Sequence, residues 1–325
     1  MKHCITIRED IMNRDLEVPL SGQGGYAPGR VVTPGLSEKE GEVEKSEKEK
    51  LDSRLASLES VVVAFSGGVD STLLLAVALR VLGRDNVLAV TADSPSLPRT
   101  ELREAQALAQ ELGAAHVIVR TEELKDERYA ENPPDRCYYC KEELFRKLEI
   151  LREERGFQYL LYGGVADDLG DHRPGMRAAA KAGAVAPLLQ SGLSKRDVRS
   201  LSKELGLRTW DKPGSPCLSS RFPYFTPIRE GNLKQVEEAE NLLRLELGFR
   251  EVRVRHHGSV ARIEITPEDF ARLFVPSVRE QIVRRFRALG YSFISMDLEG
   301  FRSGRMNETL GEKSGDCLGG DRPPE

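Results

Sequence analysis

Apolar residues run without a break from Val61 through Phe65 and, after six positions from Ser66 to Ser71, resume from Thr72 to Leu79. The first run is short and β-branched, the pattern of a strand buried in a parallel sheet. The second is longer and apolar on more than one side, the pattern of a buried helix. The alternation then repeats. Asn86–Thr91, His116–Val119 and Gln158–Tyr162 read as further strands, with Ala184–Leu188 as a fifth. Helices are expected near Leu51–Leu58 and over Pro98–Gly113, Tyr138–Arg155 and Ser194–Leu205. Gly113 is a stop signal and Ser194 a cap. Strands alternating with helices predict an α/β fold, a doubly wound parallel sheet with helices on both faces. Ligands of such sheets lie at the carboxyl ends of the strands.

The alternation stops around Lys212–Pro216. Beyond it the pattern predicts a helix (Asn232–Leu247), two strands (Glu251–Arg255 and Ala261–Ile265), a helical stretch (Pro267–Leu289) and a last strand (Tyr291–Leu298). This gives a first domain over residues 51–215 and a small α+β domain over 216–310. Residues 1–50 carry a glycine-rich stretch and a charged run from Ser37 to Lys50, and 311–325 have a similar character. Neither holds enough apolar surface to fold alone, so both are expected as disordered tails. Cys4 and Cys317 fall in them and are given no role.

Composition narrows the class. A chain of 325 residues allows about two domains. Lys and Arg total 48 against 52 Asp and Glu, a net charge of −4, which argues against a strongly basic nucleic-acid surface. No run approaches the roughly 18 apolar residues of a membrane span. Met1-Lys2-His3-Cys4 is followed by charged residues rather than an apolar signal core. A cytoplasmic protein with neither nucleic acid nor membrane as partner is expected, and a homo-oligomer is left open. Five cysteines in such a chain point to free, metal-binding or catalytic thiols rather than disulfides.

The candidate chemistry begins at Ser66-Gly67-Gly68-Val69-Asp70-Ser71, between the first strand and its helix. Glycines let the backbone approach a ligand, and the N–H groups of a helix start favour a phosphate. Ser66 and Ser71 can donate hydroxyls to it, and Ser71 can also cap the helix. Asp70 sits where Mg²⁺ on that phosphate needs a carboxylate. The spacing is not that of the Walker loop, which carries its own lysine. It resembles the pyrophosphate loop (PP-loop) of the ATP pyrophosphatases, which split ATP between the α and β phosphates.

Three further stretches select within that superfamily: Asp135-Arg136-Cys137-Tyr138-Tyr139-Cys140-Lys141, Ser215-Pro216-Cys217-Leu218-Ser219-Ser220-Arg221, and Gly300-Phe301-Arg302-Ser303-Gly304-Arg305. With Ala166-Asp167-Asp168 and Val252-Arg253-Val254-Arg255, they resemble the LarE-type ATP-dependent sulfur transferases that build the nickel-pincer cofactor of lactate racemase. The resemblance runs from about Leu55 to Glu308. It implies adenylation of the carboxylates of pyridinium-3,5-biscarboxylic acid mononucleotide by ATP and Mg²⁺, then displacement of AMP by sulfur. By the same resemblance Ser66, Gly67, Gly68, Asp70 and Ser71 hold pyrophosphate and metal. Ala92 and Ser94 border the adenosine, Gly163 closes the nucleotide pocket, and Asp168 is a second metal carboxylate. The anionic substrate calls for guanidinium forks, for which Arg221, Arg253, Arg255, Arg302 and Arg305 are candidates with Ser220 as hydroxyl donor. Arg253 and Arg255 share one strand face by their spacing, which a solvated face also produces. Asp167 and Asp168 are equally consistent with capping the next segment.

Cys137, Cys140 and Cys217 leave the sulfur source open at this stage. Some family members sacrifice one cysteine, in a position matching Pro216 here. Others hold a [4Fe–4S] cluster on three cysteines, with one iron free to carry sulfide, and this chain follows that pattern. Zinc is the further alternative, with His172, His256 or His257 as fourth ligand; a Cys-x-x-Cys redox pair is another. Two other enzyme classes share the loop: tRNA thiolases and amide-forming synthetases that use ammonia. The acidic balance disfavours the first, and the cysteine trio has no use in the second.

Overall fold

The computed structural model describes residues 45–170 and 174–302. The first lobe opens with α1 (Lys45–Ala56), β1 (Val61–Ala64), α2 (Val69–Leu82), β2 (Val87–Asp93), α3 (Arg99–Glu111) and β3 (Ala115–Arg120). The short α4 (Glu127–Ala130) and long α5 (Arg136–Arg155) lead to β4 (Tyr159–Leu161). α6 (Pro174–Lys181), α7 (Pro187–Gln190) and α8 (Lys195–Glu204) follow. The strands pair in parallel in the order β3-β2-β1-β4. Central β1 shows why its run is apolar throughout. Val61 and Val63 pack with Leu73 and Leu74 of α2, whereas Val62 faces a separate core with Phe145 and Leu148 of α5. A period of two on a strand covered on both sides leaves no polar position.

Two first-lobe expectations change. Ala184–Leu188 is not a strand: Val185 makes one bridge to Leu161, and Pro187 then starts α7. A proline has no N–H for a ladder and suits the first turn of a helix. α1 begins six residues before the expected tail ends, at Lys45 rather than Leu51. Its charged residues are good helix formers, and Leu51 and Leu55, one turn apart, are buried in the core.

In the second lobe α9 (Glu230–Asn241) runs into a π-wound turn over Leu242–Glu246. β5 (Val252–His257) and β6 (Val260–Ile265) form an antiparallel hairpin. The expected helix over Pro267–Leu289 is divided into a 3-10 turn, α10 (Phe270–Leu273) and α11 (Pro276–Ala288). Pro276 cannot donate to the preceding turn, so the helix restarts there. β7 (Phe293–Met296) lies parallel beside β6, and Phe249, Val254, Ile263 and Phe286 fill the core of this sheet. A further cluster joins the lobes: Tyr129 of α4 packs with Leu218, Phe222 and residues Leu233 and Val236 of α9, and Tyr139 and Cys140 rest against it. Among the described residues no helix is long and apolar enough to cross a membrane.

Candidate active site

The glycine loop leaves the carboxyl end of β1 and enters α2 through Gly67, which has a φ of +69°. A Cβ on Gly67 would lie 3.1 Å from the Cα of Ala105 in α3. From the other side Gly163 approaches so closely that its Cβ would stand 3.0 Å from the Ser71 nitrogen. Only glycine fits either position. Gly68, not Ser71, is the N-cap, and no side chain caps α2. Ser71 lies inside the first turn, where its Oγ accepts from the Ser66 N–H at 3.2 Å and donates to the Gly68 carbonyl at 3.2 Å. The hydroxyls of Ser66 and Ser71 stand 3.1 Å apart. The helix start is thereby left to an external anion, and two hydroxyls border it.

Two lysines reach this loop from distant sequence. Lys195, the first residue of α8, donates from Nζ to both carboxylate oxygens of Asp70 at 2.6 and 2.5 Å. Lys212 donates to the Gly67 carbonyl at 3.1 Å and is held by Glu101 and Glu104 of α3 at 2.8 and 2.9 Å. Asp167 accepts from the Lys195 backbone N–H at 2.7 Å and so braces the start of α8, whose cap is Ser194, rather than capping the segment that follows it in sequence. Its neighbour Asp168 is buried and accepts from the Val165 N–H at 2.9 Å.

Two cavities open at the strand ends. One, of about 470 Å³, is lined by Gly68, Asp70, Ser71, Gly163 and Asp168 together with Cys137. The other, of about 160 Å³, is lined by Ala92, Ser94, Ser96, Thr121, Cys140 and Cys217. Ala64, Ser66 and Lys141 line both.

Cys137 and Cys140 fall one turn apart at the start of α5, and Cys217 precedes the 3-10 turn Leu218–Arg221. The Leu218 N–H donates to the Ser96 carbonyl at 2.8 Å, tying that turn to the loop after β2. All three cysteines are free thiols. The edge of Cys137 reaches solvent, yet the protein packed around its sulfur raises the thiol pKa; Cys217 adds to this, and Arg136 and Lys141 oppose it. Burial pushes the Cys140 thiol far up, with Glu123 next in effect and Lys141 opposing. The Tyr129 hydroxyl lies 2.6 Å from Ser219 Oγ, and burial followed by the charges of Cys217 and Cys140 raises its phenol. Buried Glu123 accepts from Ser94 and Ser96 on Oε1, while Oε2 has no hydrogen-bond partner among the described residues.

The three sulfurs influence one another across a corner where two cavities meet. Burial disfavours the thiolate at Cys137 and Cys140, and a metal that took their sulfur would release the protons. Among the described residues no group of three His, Cys, Asp or Glu is gathered tightly enough for one metal ion. A zinc site draws its ligands to about 2.3 Å from a common centre, so the zinc alternative lacks its geometry. His256 instead sits buried beside the Tyr291 hydroxyl, 3.2 Å from Nδ1, and His172 lies outside the described residues. A multi-iron cluster spaces three thiolates more widely, and the donor chemistry here suits it.

The second-lobe arginines divide. Arg221, expected on the substrate, is wholly buried; Nε and Nη2 donate to Glu240 at 2.8 and 2.9 Å. Its Nη1 donates to the Pro216 and Cys217 carbonyls at 2.8 and 3.1 Å, so this guanidinium shapes the Cys217 turn. Arg255 pairs with Glu264 at 2.8 Å and donates to the Ser220 carbonyl at 2.8 Å. The Ser220 hydroxyl donates to the Cys217 carbonyl at 2.8 Å. Arg253 differs: it is buried, lies 4.9 Å over the Phe301 ring, and among the described residues forms no ion pair with a carboxylate. Burial, then the charge of Arg221, pulls its pKa down to about 10. A buried guanidinium in that condition is prepared for an anion. Arg302 is exposed and pairs with Glu299 at 3.0 Å; Arg305 lies outside the described residues.

The NAD synthase family matches residues 42–133, which hold the glycine loop and end before the cysteines of α5. A pyridinium-3,5-bisthiocarboxylic acid mononucleotide synthase of Lactiplantibacillus plantarum is 43% identical over 265 residues, covering 82% of this chain and 95% of the relative. The chain belongs to that synthase family. Similar chains of unassigned role occur in Synechocystis sp. (44% identity over 266 residues, 82% of this chain and 98% of the relative) and Methanocaldococcus jannaschii (29% over 245 residues, 75% and 92%). The synthase relative covers both lobes and therefore both the glycine loop and the cysteine corner.

The structure brings together Ser66, Asp70, Ser71, Gly163 and Asp168 at one cavity, and Ala92, Ser94, Cys140 and Cys217 at the next. Sequence reasoning missed Lys195, Lys212, Glu123 and Tyr129. No local motif marks them, since each reaches the site from an element far along the chain.

Proposed function

We propose that this synthase is an ATP-dependent sulfur transferase acting on pyridinium-3,5-biscarboxylic acid mononucleotide, supplying the nickel-pincer cofactor used by lactate racemase. The observation that carries the reading is that the glycine-loop cavity and the cysteine cavity share Ala64, Ser66 and Lys141. A carboxylate activated on one side thus lies beside sulfur on the other.

In the first step a substrate carboxylate oxygen attacks the α phosphorus of ATP, and the bond to the β phosphate breaks. The start of α2, Ser66 and Ser71 are suited to hold the leaving pyrophosphate, and Asp70 and Asp168 would hold Mg²⁺, which when bound supplies charge neutralisation on the phosphates. Lys195, which donates to Asp70, would supply a further positive charge at the same loop. Such fixed donors stabilise charge as it develops. In the second step sulfur attacks the acyl carbon and the bond to AMP breaks, leaving a thiocarboxylate. Arg253 is suited to hold the substrate's phosphate or its second carboxylate.

Cys137, Cys140 and Cys217 would hold the [4Fe–4S] cluster, which when bound supplies a place for transferable sulfide. The lining of one cavity by Cys140 and Cys217, and of the adjoining one by Cys137, supports three sulfurs acting together over sacrifice of one side chain.

Incubation with the mononucleotide, ATP, Mg²⁺ and sulfide, followed by mass spectrometry, tests the proposal. The expected product exchanges carboxylate oxygen for sulfur, with the intact-protein mass unchanged. Ammonia-stimulated pyrophosphate release without sulfur gain would identify an amide synthetase instead. A protein lighter by the mass of H₂S, a cysteine turned into dehydroalanine, would identify a sacrificial cysteine.

A further inference from the structure

Arg136 is the first residue of α5, immediately before Cys137, and only 5% of it is exposed. Its guanidinium carbon lies 5.0 Å from the ring centroid of Tyr224, which follows the Cys217 turn. Nε and Nη1 are buried and, among the described residues, have no hydrogen-bond partner. The comparably buried Arg221 and Arg255 each have a glutamate, Glu240 and Glu264. A guanidinium is charged at any working pH, and burying it without an acceptor is strongly unfavourable. A negative charge beside Arg136 would supply the acceptor that Nε and Nη1 lack among the described residues.

The adjoining source of such charge is the cysteine corner. Cys137 is the next residue, Cys140 lies one turn further, and Tyr224 places the guanidinium against the segment that carries Cys217. Three thiols become three thiolates when they ligate metal, and a bound sulfide adds further negative charge. We propose that Arg136 is the counter-cation of the sulfur site, a positioning residue that stabilises the charge of the thiolate-held cluster and of its sulfide. This rests on the cluster reading above.

A cation beside a cluster favours its more reduced, more negative form. The test compares the full-length protein with Arg136→Gln, Arg136→Lys, Tyr224→Phe and Tyr224→Leu after anaerobic reconstitution with iron and sulfide. It reads iron content, midpoint potential and sulfide affinity. Arg136→Gln is expected to bind sulfide about tenfold more weakly. Its potential should fall by the one-electron equivalent of a tenfold change, about 59 mV. Arg136→Lys and Tyr224→Phe should stay close to the parent, because the first keeps the charge and the second keeps the ring. Tyr224→Leu, which removes ring and hydroxyl but no charge, should also stay close.

Parental potential and sulfide affinity in Arg136→Gln would overturn the inference, as would the same shifts in Tyr224→Leu, which would show a packing role. Should Arg136→Gln take up no iron, Arg136→Lys decides: a retained cluster of parental potential upholds the charge role, and its loss overturns it. A parent chain that takes up no iron overturns the cluster reading and this inference with it. A parent cluster with an unaltered Arg136→Gln overturns the inference alone.

Discussion

Lys195 grips both carboxylate oxygens of Asp70, at 2.6 and 2.5 Å, and so joins the start of α8 to the first turn of α2. In the mechanism proposed above Asp70 would hold Mg²⁺, and Lys195 would then supply its charge to the phosphates at the same loop. Lys195→Met is expected to lower the rate of pyrophosphate release about 100-fold, the usual cost of removing one fixed donor from a developing charge. Single-turnover pyrophosphate assays check this, and a parental rate would remove Lys195 from the mechanism.

Arg221 and Glu240 form a buried ion pair at 2.8 Å, with Glu240 also accepting from the Val254 N–H at 3.0 Å. Burial raises the Glu240 pKa, but Arg221 and the further donors outweigh it and hold the carboxyl below its usual range. Removing one partner strands the other charge. Glu240→Ala should cost about 3–5 kcal/mol of stability, read from the urea midpoint. Arg221→Met combined with Glu240→Leu should recover much of the loss, because a well-packed apolar pair replaces a charged one.

Arg253 predicts the opposite balance. It is buried without a carboxylate partner among the described residues, so truncation removes an unfavourable charge. Arg253→Ala should keep or raise the melting temperature while weakening mononucleotide binding roughly 10- to 100-fold, the worth of about 1.5–3 kcal/mol in a charged hydrogen bond. Calorimetric titration and a thermal melt read the two effects separately. A destabilised variant with parental affinity would make Arg253 structural.

Burial holds the pKa of His116, His256 and His257 below the ordinary 6.5, with neighbouring positive charges adding to the effect at the last two. The unfolded chain therefore takes up these protons first as pH falls. Their contribution to stability is intact above 6.5 and is lost as pH drops through 6.5 toward the folded values. The urea midpoint at pH 5.5 should lie below that at pH 7.5, and His116→Gln should reduce the difference. Equal midpoints would show that the histidines titrate alike in both states.

Much of the first lobe is legible in the chain because periodicity and burial agree there. Val61–Phe65 and Thr72–Leu79 have one reading each, and Gly67 and Gly163 stand where a side chain would collide with Ala105 or Ser71. Ala184–Leu188 misleads because apolar composition does not separate a strand from a single bridge followed by a proline-started helix. Arg253 and Arg255 lie on one strand face as their spacing requires, yet one has a glutamate and the other has none. That difference depends on Glu264, contributed by the paired strand.

By itself the sequence determined the parallel sheet, the nucleotide loop and the identity of the three cysteines, because each depends on residues adjacent along the chain. Strand periodicity, a glycine turn and a Cys-x-x-Cys spacing act over a few positions. Tertiary structure alone decided which lysines reach the loop, which buried arginine has no carboxylate partner among the described residues, and that Arg136 is buried beside Cys137 with two nitrogens unpartnered among those residues. Charge pairing acts through space, and Asp70 meets a lysine 125 residues away. No local pattern records a partner supplied by another element.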